Sequence, residues 1–180
     1  MTANSDIRNE DLILYIASKL KNYESFGAIV LNKVLYYSDN LHYLKYGRTI
    51  SSFTYIHKPF GPVPNPTTFK IVYQKLIRDG RAKEEITDGI VNTRKKLVAL
   101  KKATKSYFSK DELKVIDEVI KDFENKNALE ASDKSHNELG WLLTEEGETI
   151  PPHAFLLSIP QLSEEDYTWA DDELSRLRPN

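Results

Sequence analysis

Leu12, Tyr15, Ile16 and Leu20 recur at helical spacing, so the apolar positions at the start of the chain predict a helix from about Asn9 to Asn22. A second helix is expected from about Gly27 to Tyr46, with Val30, Leu31, Val34, Leu35 and Leu41 on its buried face and Gly47 placed to cap its end. Asn32, Tyr36, Asp39 and Tyr43 follow one another at i, i+4, i+7 and i+11 on the same helix. They form an aromatic and polar stripe expected to face away from the aliphatic one.

The period then changes. Ser52 to His57, with Phe53, Tyr55 and the β-branched Thr54 and Ile56, reads as a strand entering a rigid loop. Pro59, Pro62, Pro64 and Pro66 are expected to prevent regular structure until about Thr67. Phe69, Val72, Tyr73, Leu76 and Ile77 restore the helical period, which Asp79-Gly80 ends. Arg81 to Ile86 and Lys95 to Leu100 make an antiparallel pair around the turn signal Asp88-Gly89. Ser109 and Glu112 form a capping-box pattern ahead of Leu113, Ile116, Ile120 and Phe123, predicting a helix from Lys110 to about Asn125. A further helix is placed within Glu130 to Thr144. Past Gly147 the pattern weakens, Pro151, Pro152 and Pro160 break a short apolar run, and order there depends on docking. Gln161 to Asn180 carries six acidic residues against Arg176 and Arg178, a composition typical of an exposed tail.

With 180 residues and 40% hydrophobic content the chain can bury one sizeable core. A formal charge of −2, from 25 basic and 27 acidic residues, gives no whole-chain attraction to nucleic acid or anionic membrane. The chain has no cysteine, which rules out disulfide and thiolate chemistry and suits a reducing cytosol. No apolar run approaches the roughly 20 residues that span a bilayer, and the first residues lack the basic start and apolar core of a secretory signal. The expectation is a cytoplasmic protein without membrane contact.

The four histidines, His42, His57, His136 and His153, are scattered and supply no chelating spacing, so no metal site is expected. The seven glycines make neither a GxGxxG turn nor a GxxxxGK[ST] loop, and no GxSxG elbow is present. Neither a cofactor nor catalytic residues are assigned. Gly61 to Pro64, the sequence GPVP, reads as a stiff connection that also presents Phe60 and Val63 as a preorganised apolar contact. The stripe Asn32, Tyr36, Asp39 and Tyr43 is either internal, each tyrosine burying its ring, or in part a docking face. In Ser132 to Trp141, SDKSHNELGW, Ser132 or Ser135 is a helix cap and Trp141 a core anchor, or else His136 and Glu138 line a surface beside the GPVP loop. Arg94 to Lys105 carries six cations and no acid. It reads either as a solvated strand face or as the basic wing of a winged helix, with Lys95, Lys96 and Lys101, joined by Lys70, Lys75 and Arg78, touching phosphates.

The order LNKVLYYSD from Leu31, YGRTI from Tyr46, an aromatic-ended strand, GPVP and SDKSHNELGW resembles the Panacea domain, the antitoxin module of many bacterial and phage toxin–antitoxin pairs. The family-like positions are Leu31, Lys33, Tyr36, Tyr37, Asp39, Tyr46, Gly47, Gly61, Pro62, Val63, Ser135, His136 and Trp141. The resemblance implies an α+β, mostly α-helical fold: a compact helical domain with a small antiparallel sheet, set here at residues 1–147 and followed by a proline-containing acidic extension, residues 148–180. It implies no enzymatic activity and a cognate toxin protein as partner, with alarmone-synthetase-like nucleotide pyrophosphotransferases among the toxin classes. The expected function is neutralisation by direct binding that covers the toxin's active site. The expected contacts are Tyr36, Asp39, Tyr43, Tyr55, Phe60, Val63, His136, Glu138 and Trp169. An adaptor that delivers the toxin to a protease, a DNA-binding regulator and an enzyme reversing toxin damage are the alternatives.

Overall fold

The structure, a computed structural model, describes residues 3–23, 26–88, 93–158 and 168. Its elements are α1 (Ala3–Leu20), α2 (Ala28–Tyr46), β1 (Tyr55–Ile56), β2 (Val63–Pro64), α3 (Pro66–Arg78), β3 (Ala82–Asp88), β4 (Thr93–Ala99), α4 (Lys110–Phe123), α5 (Ala128–His136), α6 (Leu139–Leu142) and β5 (Thr149–Ile150), with 3-10 turns at Lys105–Tyr107 and Pro152–Ser158. The fold is mostly helical α+β with small antiparallel sheets, as expected. Residues 89–92, Trp169 and all but one residue of the acidic segment 161–180 lie outside the described residues.

At the centre is α2, which packs against α1, α4, α5, β2, β4 and the Pro152–Ser158 turn. That central position favours the internal reading of the stripe over the docking one. Tyr36 and Asp39 are 1% and 0% exposed, and Lys33, Ser38, Asn40 and His42 are buried with them. Neighbours cover both faces, so these polar positions are internal and must find partners inside. In α1 likewise, Asn9, Glu10 and Asp11 are buried beside Leu12, Ile13 and Ile16. Arg81 donates to Glu10 and Asp11 at 2.8 Å each, and Asn9 bonds Ser52. α1 begins at Ala3, ahead of the expected start at about Asn9.

Helix starts follow local chemistry. Ser109 and Glu112 close the expected capping box on α4. Asn127 and Glu130 close a second one on α5, so Ser132 and Ser135 are not caps but lie buried within that helix. The helix expected within Glu130 to Thr144 is therefore two helices. Asn65 caps α3, with Pro66 taking the first-turn position that needs no N–H donor. Of that helix's apolar set, Val72 and Leu76 are buried while Ile77 is partly exposed.

The strand expected over Ser52 to His57 shrinks to two residues. Its upstream N–H donors are taken by side chains: Ile50 and Ser51 donate to Asp39 Oδ1, Ser52 to Asn9 Oδ1 and Phe53 to Ser51 Oγ. β1 is the middle strand of an antiparallel sheet ordered β2-β1-β5. Pro64 stands on its edge strand, where a missing donor does no harm. The proline-rich stretch is thus paired, and α3 already starts at Pro66. The second sheet is the β3–β4 hairpin, running from the pair Ala82–Ala99 to the pair Asp88–Thr93.

Candidate functional site

Two buried polar nodes fix the GPVP segment and the strand before it. In the first, Asp39 Oδ1 accepts from Ile50 N (2.8 Å) and Ser51 N (2.7 Å), and Oδ2 accepts from Tyr55 Oη (2.6 Å) and Ser51 Oγ. Burial pushes the Asp39 carboxyl up, against these four bonds, which pull it down. The Tyr55 phenol is driven well above its ordinary range, first by burial and then by the charge of Asp39. This node pins the chain leaving α2 to α2 itself.

The second node joins α2, the GPVP loop and α5. Lys33 is 1% exposed, and its Nζ donates to Pro62 O at 3.1 Å. Burial pulls the amine down to about 7. Gly61 stands at φ 87°, and a Cβ there would lie 2.1 Å from Ser135 Oγ and 2.3 Å from Lys33 Nζ. Only glycine lets the loop approach both side chains in that conformation. Ser135 Oγ donates to Ser132 O at 2.7 Å. A lysine amine titrating near neutrality beside a serine hydroxyl has the chemistry of a base and a nucleophile, but both groups are closed to solvent. Their geometry serves to hold the loop.

An aromatic cluster extends this node to the surface. The rings of His57 and His136 both stack on Trp141, at 4.4 and 4.3 Å between centroids, and Trp141 Nε1 donates to Lys58 O at 3.1 Å. Tyr37 Oη donates to Glu138 Oε1 at 2.9 Å, and Phe155 packs edge-on against Tyr36 and Tyr37. Both phenols are pushed up, mainly by burial and next by the charge of Glu138. Tyr36 Oη, Ser132 Oγ, His136 Nε2 and Glu138 Oε2 are buried without a hydrogen-bond partner among the described residues.

The expected contact residues therefore divide. Tyr36, Asp39 and Tyr55 are core residues with no surface to offer, which corrects their place in a docking face. Tyr43, Val63, His136 and Glu138 are half-buried, Phe60 is 67% exposed at the loop tip, and Trp169 lies outside the described residues. His136 and the GPVP segment do converge, through Trp141 and Lys58. The pattern of residues could not announce His57, Lys58, Thr144 and Phe155, which join the cluster from three separate places in the chain. His57 Nδ1 lies 3.2 Å from Thr144 Oγ1.

The hairpin is less basic than its sequence. Lys95 faces Glu84 at 3.6 Å, Lys83 pairs with Glu85, and Lys75 pairs with Glu10 and Asp79. Lys96 donates to Lys21 O, whereas Lys101 is exposed.

The model of the SocA-like antitoxin, Panacea domain family matches residues 31–142. That span runs from α2 through α6, contains both nodes and covers more than half of the chain. The protein belongs to the SocA-like, Panacea-domain antitoxin family. No curated protein and no solved structure gives a significant match. Among the described residues, no helix is long and apolar enough to cross a membrane.

Proposed function

We propose that this chain is an antitoxin that neutralises a cognate toxin protein by binding it directly and covering its active site. The observation that carries this reading is the family match over residues 31–142. The structure is consistent with a binding role: the family-like residues Lys33, Gly61, Pro62, Ser135, His136 and Trp141 brace a loop whose tip, Phe60, is exposed. A braced loop loses little entropy when a partner closes over it.

The test is copurification and calorimetric titration with the protein encoded by the adjoining reading frame, together with growth rescue in cells expressing that protein. A stable complex, stoichiometric rescue and an undiminished toxin level are expected. No complex and no rescue overturns the reading. Rescue accompanied by protease-dependent loss of the toxin replaces direct blocking with the adaptor mechanism. Lys95→Glu with Lys101→Glu is expected to leave rescue intact, because the proposed function does not run through nucleic acid and Lys83 and Lys95 already face the hairpin's own carboxylates.

A further inference from the structure

Single exposed leucines are ordinary on a protein surface, but a group of them on adjoining segments marks a contact face. Leu142 at the end of α6 and Leu143, which caps it, are 54% and 70% exposed, and Leu156 and Leu157 on the Pro152–Ser158 turn are 48% and 54% exposed. The two segments pack closely at Gly140, where a Cβ would sit 3.1 Å from Ala154 Cβ and 3.2 Å from Ile150 Cγ2. The Phe60 loop is tied to the same place, since Lys58 O accepts from Trp141 and Lys58 Nζ pairs with Glu146 at 3.1 Å.

The connection that follows Leu143 in the chain is rich in carboxylates. Glu145, Glu146 and Glu148, on the connection between α6 and β5, are all exposed, and among the described residues Lys58 is their one ion-pair partner. Residues 159–180 follow directly on the leucine-bearing turn and add six carboxylates against two arginines to the chain at that end. A second copy of the chain would bring like charge to like charge, which disfavours self-pairing here.

We propose that Leu142, Leu143, Leu156 and Leu157, together with Phe60 and the exposed Glu145, Glu146 and Glu148 on the neighbouring loops, are the surface on which the cognate toxin docks. The toxin's matching surface is an apolar patch flanked by lysine or arginine. This deepens the antitoxin reading and rests on it. The leucines supply most of the affinity, and the carboxylates steer encounter and set register.

The experiment is titration of the protein from the adjoining reading frame with wild type, Leu142→Asp/Leu143→Asp, Leu156→Asp/Leu157→Asp and Ile71→Asp, a control on an exposed α3 position. Thermal unfolding verifies each fold, and the two leucine pairs serve as independent variants. Each pair is expected to weaken binding by at least about tenfold and Ile71→Asp to leave it unchanged. Glu145→Lys/Glu148→Lys is expected to slow association and flatten its salt dependence. If wild type binds and both leucine pairs bind equally well, the surface is wrong while the antitoxin reading stands. If the leucine pairs only turn a dimer into monomers and leave toxin affinity unchanged, the face is a self-interface and the proposal falls. Failure of wild type to bind overturns both readings.

Discussion

A lysine amine inside a protein is costly in its charged form, and the hydrogen bond from Lys33 to Pro62 O offsets only part of that. Its folded-state pKa of about 7 lies below its ordinary 10.5, so between those values the unfolded chain holds more protons. Stability must then rise with pH above about 7, by at most about 1.4 kcal/mol per pH unit. Tyr36, Tyr37 and Tyr55 act in the opposite direction at higher pH, because their raised phenols stay protonated when folded while those of the unfolded chain ionise above about 10. Urea unfolding of wild type should therefore gain roughly 2 kcal/mol between pH 7 and 9. Lys33→Met removes the titrating group, so its profile over that window should be flat. Parallel profiles for the two proteins would show that Lys33 is not the source.

Gly61 shows how one element constrains another across the core. Alanine there must hold φ 87° and also push back Ser135 Oγ and Lys33 Nζ. The backbone contributes roughly 1–2 kcal/mol and the overpacking roughly 1–3 kcal/mol, so Gly61→Ala should cost about 3 kcal/mol in urea unfolding. Gly80 has φ 63° with open space around it, and Gly80→Ala should incur only the backbone part. Equal costs at the two positions would refute close contact between loop and α5. Local signals of this kind were the legible ones: the Ser109–Glu112 capping box, the Gly47 cap of α2 and the helix–hairpin order all read correctly. Burial was harder to read. For Tyr36 and Asp39 the internal and docking readings stayed open because periodicity records which residues share a face, not whether another element covers it. Ser52 to Thr54 looked like strand because composition does not reveal that Asp39 and Asn9 capture nearby N–H groups.

At the scale of the whole molecule, residues 149–155 complete the core. The apolar run there was visible in the sequence, but its place was not, since its partners are more than ninety residues away in β1 and α2. β5 pairs with β1, Ile150 and Ala154 are 3% and 8% exposed, and Phe155 covers Tyr36 and Tyr37 at ring distances of 6.3 and 5.9 Å. A chain ending at Gly147 would leave these aromatic faces and one edge of β1 open. Losing the burial of Ile150, Ala154 and Phe155 alone should cost upwards of about 3 kcal/mol. Phe155→Ala, which removes the largest of the three, should account for roughly half or more of that loss. The comparison is by urea midpoint and by binding of a dye that reports exposed apolar surface. If the chain ending at Gly147 unfolds at the same midpoint as the full chain, residues 149–158 merely rest on the core, and the leucines they carry lose their rigid support. A lower midpoint with increased dye binding would mean that the turn bearing Leu156 and Leu157 is held by the same aromatic contacts that close the interior.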